Sequence, residues 1–326
     1  MKITQCQLKG DWKIDGINEN AGLVLVFGDR GLIEAKDIAE KFKKGYPKAK
    51  IVFCSTAGEI LNTEVTDNTL SVTAIEFEKT QIKTSLSNIA DFKDSYSAGK
   101  NLVESLQADD LRHIIVLADG QLVNGSELVR GMNESLPVKV TISGGLAGDG
   151  ARFQKTLVGL DSNIIAGNVV GIGLYGSHLL IGHGSNGGWD SFGPYRKVTK
   201  SKSNVLYELE GKSALDLYKQ YLGDLASGLP GTALLFPLSI KIDDDSEPVV
   251  RTVLSVSEED HSMTFAGDIP EGSHARLMKA NFDRLIDAAS GAASDTFTAF
   301  NGMQPELALL ISCVGRKLVL DQRVDE

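Results

Sequence analysis

The sequence is poor in cysteine, and it has no dense basic block and no long apolar run. Its three cysteines, Cys6, Cys54 and Cys313, are odd in number and widely spaced, with no Cys-x-x-Cys pair. That excludes a disulfide framework and a cysteine-based structural zinc site, and it fits a reducing compartment. A formal net charge of -10 without a Lys/Arg cluster lacks the positive footprint that phosphate backbones require, so nucleic acid is not an expected partner. The purest apolar runs, Leu23 to Phe27 and Ile114 to Ala118, fall far short of the ~20 residues that cross a bilayer. The start, Met1-Lys2-Ile3-Thr4, has no apolar signal region. A soluble, cytoplasmic protein with no membrane partner is the expectation. With 42% hydrophobic and 23% charged residues among 326, the chain has an ordinary globular makeup and the length for two lobes.

What is present is one unit written twice. Shifted by 90 positions, Val24-Leu25-Val26-Phe27-Gly28-Asp29 falls without a gap on Ile114-Ile115-Val116-Leu117-Ala118-Asp119. Downstream, Leu32 meets Leu122, Pro47 meets Pro137, Ala57-Gly58 meets Ala147-Gly148, and Glu59 meets Asp149. Each copy opens on a continuous apolar run, the mark of a strand buried on both faces. An amphipathic helix follows, through Ile38, Phe42 and Tyr46 in the first copy and Leu128, Met132 and Leu136 in the second. Pro47 and Pro137 end these helices. The second strands, Ile51 to Cys54 and Val140 to Ser143, return after a helical crossover and should lie parallel to the first.

Hairpin-like segments are expected at Thr69–Phe77 with Gln81–Leu86, and at Val169–Tyr175 with Leu179–Gly182; a helix around Tyr96 to Leu106 separates the copies. Beyond the connector Gly187–Pro194 the repeat stops. Strands and helices then alternate to a last strand at Leu307–Cys313. The fold class is α/β in two lobes: residues 1–200 a duplication of a strand-helix-strand-hairpin unit, residues 201–326 a mixed sheet with helices.

Cys54-Ser55-Thr56-Ala57-Gly58-Glu59-Ile60, Gly144-Gly145-Leu146-Ala147-Gly148-Asp149, Phe192-Gly193-Pro194 to Val198-Thr199, and Ser312-Cys313-Val314-Gly315-Arg316 together resemble the FIST family, in their order and spacing. The run from Asn204 to Leu217 is similar to the start of that family's C-terminal domain. The resemblance implies a non-enzymatic, intracellular bacterial sensor that binds a small ligand such as an amino acid, or haem in nitric-oxide-sensing members. It also implies a signalling partner: a histidine kinase, a diguanylate cyclase or a chemotaxis component. Family members continue past the Gly-Arg motif into a Gly- and aromatic-rich segment that does not follow here, so the second lobe is expected to be truncated at its C-terminal end.

The two acidic-ended turns fall at the C-terminal ends of parallel strands, where open α/β sheets place ligands. Cys54, Ser55, Thr56 and Glu59 in the first turn, and Gly144, Gly145 and Asp149 in the second, are therefore candidate ligand-binding residues. Small residues admit a ligand to the backbone, and the acids could accept from an ammonium group. Arg251 and Arg316 are the candidate anchors for a carboxylate, which a guanidinium holds bidentately, so an amino-acid-like ligand is expected between the lobes, held by the acidic turns and the arginine-bearing sheet of the second lobe. Cys313, which ends the last strand, completes the set. No cofactor is expected on the main reading; haem would use His183 as its ligand. A thiol or serine enzyme built on Cys54 or Ser55 is the remaining alternative, although neither residue has a sequence-local histidine and Ser55 is not in a Gly-x-Ser-x-Gly elbow.

Overall fold

The computed structural model describes residues 1–10, 18–243, 245–300 and 302–326, in two units. One comprises Met1–His183, Thr296–Val314 and Asp325–Glu326; the other comprises Gly184–Asp295 and Gly315–Val324. In the first unit the chain runs through β1 (Lys2–Leu8), β2 (Leu23–Gly28), α1 (Arg30–Ile33), α2 (Ile38–Gly45) and β3 (Lys50–Ser55). A small hairpin, β4 (Glu59–Leu61) and β5 (Glu64–Thr66), leads to β6 (Leu70–Glu76) and β7 (Gln81–Asn88). The second copy follows with α3 (Ser95–Leu106), β8 (Leu111–Ala118), α4 (Gly125–Ser135), β9 (Thr141–Leu146), β10 (Val158–Leu160), β11 (Asn163–Ile165) and β12 (Asn168–Tyr175).

The copies build two sheets, in the orders β1-β6-β2-β3-β10-β11 and β7-β12-β8-β9. As the repeat predicts, β2 lies parallel to β3 and β8 parallel to β9. Alternation along each strand then stacks the layers. Val24, Val26, Ile51 and Phe53 face α2, while Leu23, Leu25, Val52 and Cys54 join Leu117, Val170, Ile172 and Leu174 in a core between the sheets. On the far side Ile114, Val116 and Ala118 pack under Leu102, Val103, Leu128 and Met132 of α3 and α4. The result is a helix-sheet-sheet-helix sandwich, which is why the founding strands of both copies are apolar on both faces.

The expected hairpins form differently. β6 pairs with β1 and β2, whereas β7 crosses to the other sheet and pairs with β12. Residues 179–182 form no strand. The run Leu307–Cys313 is no strand either: it joins no ladder, and Leu310 and Ile311 are 57% and 51% exposed. Its apolar composition mimics a buried strand, but only Leu307 reaches the core between the sheets.

In the second unit β13 (Asp190–Ser191), β14 (Arg196–Lys202), β15 (Val205–Leu209) and β16 (Lys212–Ser213) precede α5 (Ala214–Leu222). Then come β17 (Leu238–Lys241), β18 (Val249–Arg251), β19 (Val253–Ser257), β20 (Ser262–Phe265) and β21 (His274–Lys279). The order β18-β17-β21-β14-β15-β20-β19 forms one sheet, and Leu215, Tyr218 and Leu222 of α5 pack with Leu206, Met263 and Phe265 on it. α6 (Phe282–Phe297) and α7 (Val314–Leu320) contribute Leu285, Val319 and Leu320 to a smaller cluster with Trp189. Among the described residues no helix is long and apolar enough to cross a membrane.

Helices α3 and α4 touch backbone to backbone. A Cβ at Gly99 would lie 2.2 Å from the Leu128 carbonyl oxygen, and one at Gly131 would lie 2.1 Å from that of Tyr96. Alanine has the higher helix propensity, yet Gly131→Ala is expected to lower the unfolding free energy by about 1–3 kcal/mol by forcing the helices apart. Urea denaturation checks this; an unchanged or raised midpoint would show that the crossing is not tight.

Candidate functional site

The two turns come together. The Ser55 hydroxyl at the end of β3 donates to the Gly148 carbonyl (2.7 Å) and accepts from the Leu157 amide (2.8 Å). The Gly148 amide returns a bond to the Ser55 carbonyl, and the Gly150 amide one to that of Thr56. A Cβ on Gly148 would sit 2.8 Å from the Ala57 nitrogen, so only glycine lets the turns touch. Leu157 then leads into β10, which lies antiparallel on β3 with Val158 opposite Cys54. The second copy thus supplies a hairpin to the first copy's sheet.

The acids of these turns point inward, contrary to their expected role as ammonium acceptors. Glu59 is 2% exposed and accepts from the hydroxyls of Thr56 and Thr69 (2.7 Å each) and from the Thr69 amide (3.2 Å). Burial pushes its carboxyl up, against the pull of those bonds. Asp149, 3% exposed, is saturated too. Its Oδ1 lies 2.8 Å from Arg152 Nε and 3.1 Å from Arg30 Nε, and its Oδ2 accepts from the amides of Gln154 and Lys155. Arg152 also binds Asp29 through Nη2 at 2.8 Å, and Asp29 in turn caps α1 through the Gly31 amide.

Arg30, Arg152, Asp29 and Asp149 therefore form a quartet of alternating charge where β2 ends. Beside it, Lys155 binds Glu34 (2.6 Å), and both line an open groove of about 650 Å³. The groove's apolar lining includes Ile33, Ile38, Leu157 and Ile164. None of these cations was singled out in the sequence. The signals for them were Asp29-Arg30 directly after the first strand and the i,i+3 pair Asp149 and Arg152.

Cys54 faces the apolar core between the sheets, 4% exposed, where burial and then the Asp119 charge push its thiol up to about 12; Ser55 is fully committed. Gly144 and Gly145 lie in β9, where a Cβ would meet the Val116 carbonyl at 1.8 Å and Ile311 at 3.0 Å. In the second unit Arg251 donates to the carbonyls of Asp268 and Val250, and Arg316 to those of Asn186 and Gly187. Burial lowers the Arg251 pKa against the opposing pull of Asp268. Both arginines pin backbone in that unit. Cys313 is exposed in the extended run, and His183 is exposed at the end of the first unit's main segment. A histidine that sequence reasoning passed over, His113, is buried with one ring nitrogen on Thr141 (2.7 Å) and the other on Ser143 (2.8 Å). Burial, then the neighbouring His183, push its pKa down to about 4, so it is neutral at pH 7.

A duplicated α/β sandwich with a charged mouth at its strand ends, carrying a separate antiparallel sheet unit, is the class of protein that this fold and site define. The chain belongs to the FIST family: the FIST N domain matches residues 22–212 and the FIST C domain residues 214–326. FIST domains are sensory, signal-transduction domains. An uncharacterized protein of Methanocaldococcus jannaschii is 22% identical over an alignment of 316 positions that covers 87% of this chain and 58% of that relative. The chain thus spans little more than half that relative's length. Among solved structures a chorismatase aligns over 86% of this chain and 98% of its own, at 10% identity and a TM-score of 0.27, a likeness that carries no argument.

Two outcomes test this geometry. Ser55→Ala leaves the Leu157 amide and the Gly148 carbonyl unpaired, and it is expected to cost about 1–3 kcal/mol in chemical denaturation; a loss within error would mean that the turns are held by something else. For Asp149, burial opposes ionisation, but the Arg152 guanidinium and the Lys155 and Gln154 amides hold the carboxyl below its ordinary 3.8. Its contribution is fully present above pH 3.8 and lost as the pH falls through the lowered folded value. Asp149→Asn should therefore destabilise the protein at pH 7 and converge on wild type in acid. Parallel stability curves would contradict this.

Proposed function

We propose that the protein is a non-enzymatic, cytoplasmic sensor that binds a small amino-acid-like molecule in its first unit. In this reading a signalling protein of the histidine kinase, diguanylate cyclase or chemotaxis kind responds to the bound form. One observation carries the reading: paired arginines and aspartates converge at the end of β2, where open α/β sheets bind ligands, next to an open, mainly polar groove lined by Glu34, Lys36 and Lys155. Membership of a sensory family supports it. So does the burial of Cys54 and Ser55, which removes the two nucleophiles nearest the turns from reach of any substrate. Ligand binding biases whichever conformation holds the ligand better, and a partner reads that bias.

A thermal-shift screen over the twenty amino acids is the test. A ligand at a hundred times its Kd adds about 2.7 kcal/mol of stability and raises the melting temperature by several degrees. No shift with any amino acid would show that the ligand class is wrong.

A further inference from the structure

Each of the first unit's two main sheets ends in two edge strands, and three of these four are guarded. β1 carries Lys2, β7 carries Lys83, and β11 is three residues long; charge and shortness protect an edge from pairing with another chain. β9 has neither protection. Thr-Ile-Ser-Gly-Gly-Leu is six residues without a charge, and it pairs with β8 on one side only. Among the described residues no backbone bond joins its outer side to another segment.

The layers on either side of this edge are apolar at the surface as well. On one face Leu146 leans on the start of α4, where a Cβ at Gly125 would lie 3.4 Å from it. Leu146 is exposed, and so are Val129, one turn along α4 from Gly125, and Leu122 in the turn before the helix. Gly125, Val129 and Asn133 form an uncharged stripe on α4. The helix's charges, Glu127, Arg130 and Glu134, stand apart from that stripe and pair with one another. On the other face Ile311 packs on Gly145, and the run Leu307–Cys313 to which it belongs, also without a charge, leaves Leu310 and Ile311 in solvent.

An occupant of this edge therefore has to match three layers. A single extended peptide could pair with β9, but it would lie in the plane of the sheet, and packed layers stand about 10 Å apart. A second copy presents all three at once. A two-fold axis normal to the sheet sets β9 antiparallel to its mate, α4 beside α4 and the apolar run beside its own equivalent. Charge favours the same occupant. A chain of net charge -10 repels its copy, and along this strip two copies meet without setting like charges together.

We propose that β9 is a dimerisation edge, at which two copies join their four-stranded sheets into one continuous sheet across a two-fold axis. A six-residue edge with these flanking side chains comes to about 600 Å² per copy, the low end for specific association. The dimer is accordingly weak, with a Kd on the order of micromolar. It stands whether or not the groove takes a ligand.

Sedimentation velocity of the full chain between about 1 and 200 µM should show a reversible monomer–dimer equilibrium. Val129→Glu and Leu310→Glu each set two like charges across the axis, and each should weaken the dimer about tenfold or more. Both side chains are at the surface of the single copy, so at concentrations where all forms are monomeric the variants should melt within about two degrees of wild type. Ile242→Glu, at an exposed apolar side chain of the second unit, is the control and should dimerise as wild type does. Hydrogen exchange reads the edge itself: amides of residues 142–146 should exchange more slowly in the dimer than in the monomer, while those of β1 and β7 stay unchanged. A wild type that remains monomeric throughout the concentration range overturns the proposal, and the edge then serves a different partner or none. A dimer that survives both glutamates, or one that leaves exchange along β9 unaltered, overturns it too, because the copies then meet elsewhere.

Discussion

The first unit depends on a single hydroxyl. Ser55 closes β3, holds the Gly148 carbonyl and receives the Leu157 amide, and these two bonds set where the second copy's loop runs. Everything at the charged mouth follows from that path. Asp149 follows Gly148 directly, Arg152 and Lys155 lie on the stretch between Gly148 and Leu157, and β10 takes its place on β3 because Leu157 has been delivered there. A buried serine between two backbone partners is a positioning device: it is worth little in net energy, yet it decides which side chains meet.

The copies have diverged where this device operates. Leu70 opposes Gly28 in the first copy and Val169 opposes Ala118 in the second, so the offset of 90 at the first strand has grown to 99. The additional residues lie after the second turn and carry Arg152 and Lys155. The aspartates after the founding strands also differ in use. Asp29 binds Arg152, whereas Asp119 is fully buried and accepts the amides of Gln121, Leu122 and Gly167. One copy's aspartate serves the mouth and the other's ties down backbone.

The duplication, the parallel strand pairs and the crossover helices were legible because burial on both faces leaves unbroken apolar runs and exposure on one side of a helix leaves a stripe. The meeting of the two turns was legible in outline, from their shared composition at equivalent positions. Side-chain direction was not. Period-two alternation puts Cys54 on the face opposite Ser55, but nothing in a fully apolar strand says which face meets helices and which meets another sheet. The inward turn of Glu59 depended on Thr69, ten residues away. The strand assigned to Leu307–Cys313 failed because composition reports affinity for a core, not the presence of a free ladder to join. Arg251 and Arg316 donate to backbone carbonyls that no local sequence signal marks as their partners.

The hairpin that the second copy lends to β3 bears on how such a chain could arise. A half-length ancestor with one copy would leave its second strand without a neighbour on the outer edge, an open template for pairing. Two such chains could cover that edge only by lending hairpins to each other, as in a domain-swapped dimer. Fusion of the two genes would keep one loan and free the other hairpin, β4 and β5, to drift into the separate two-stranded piece it is now.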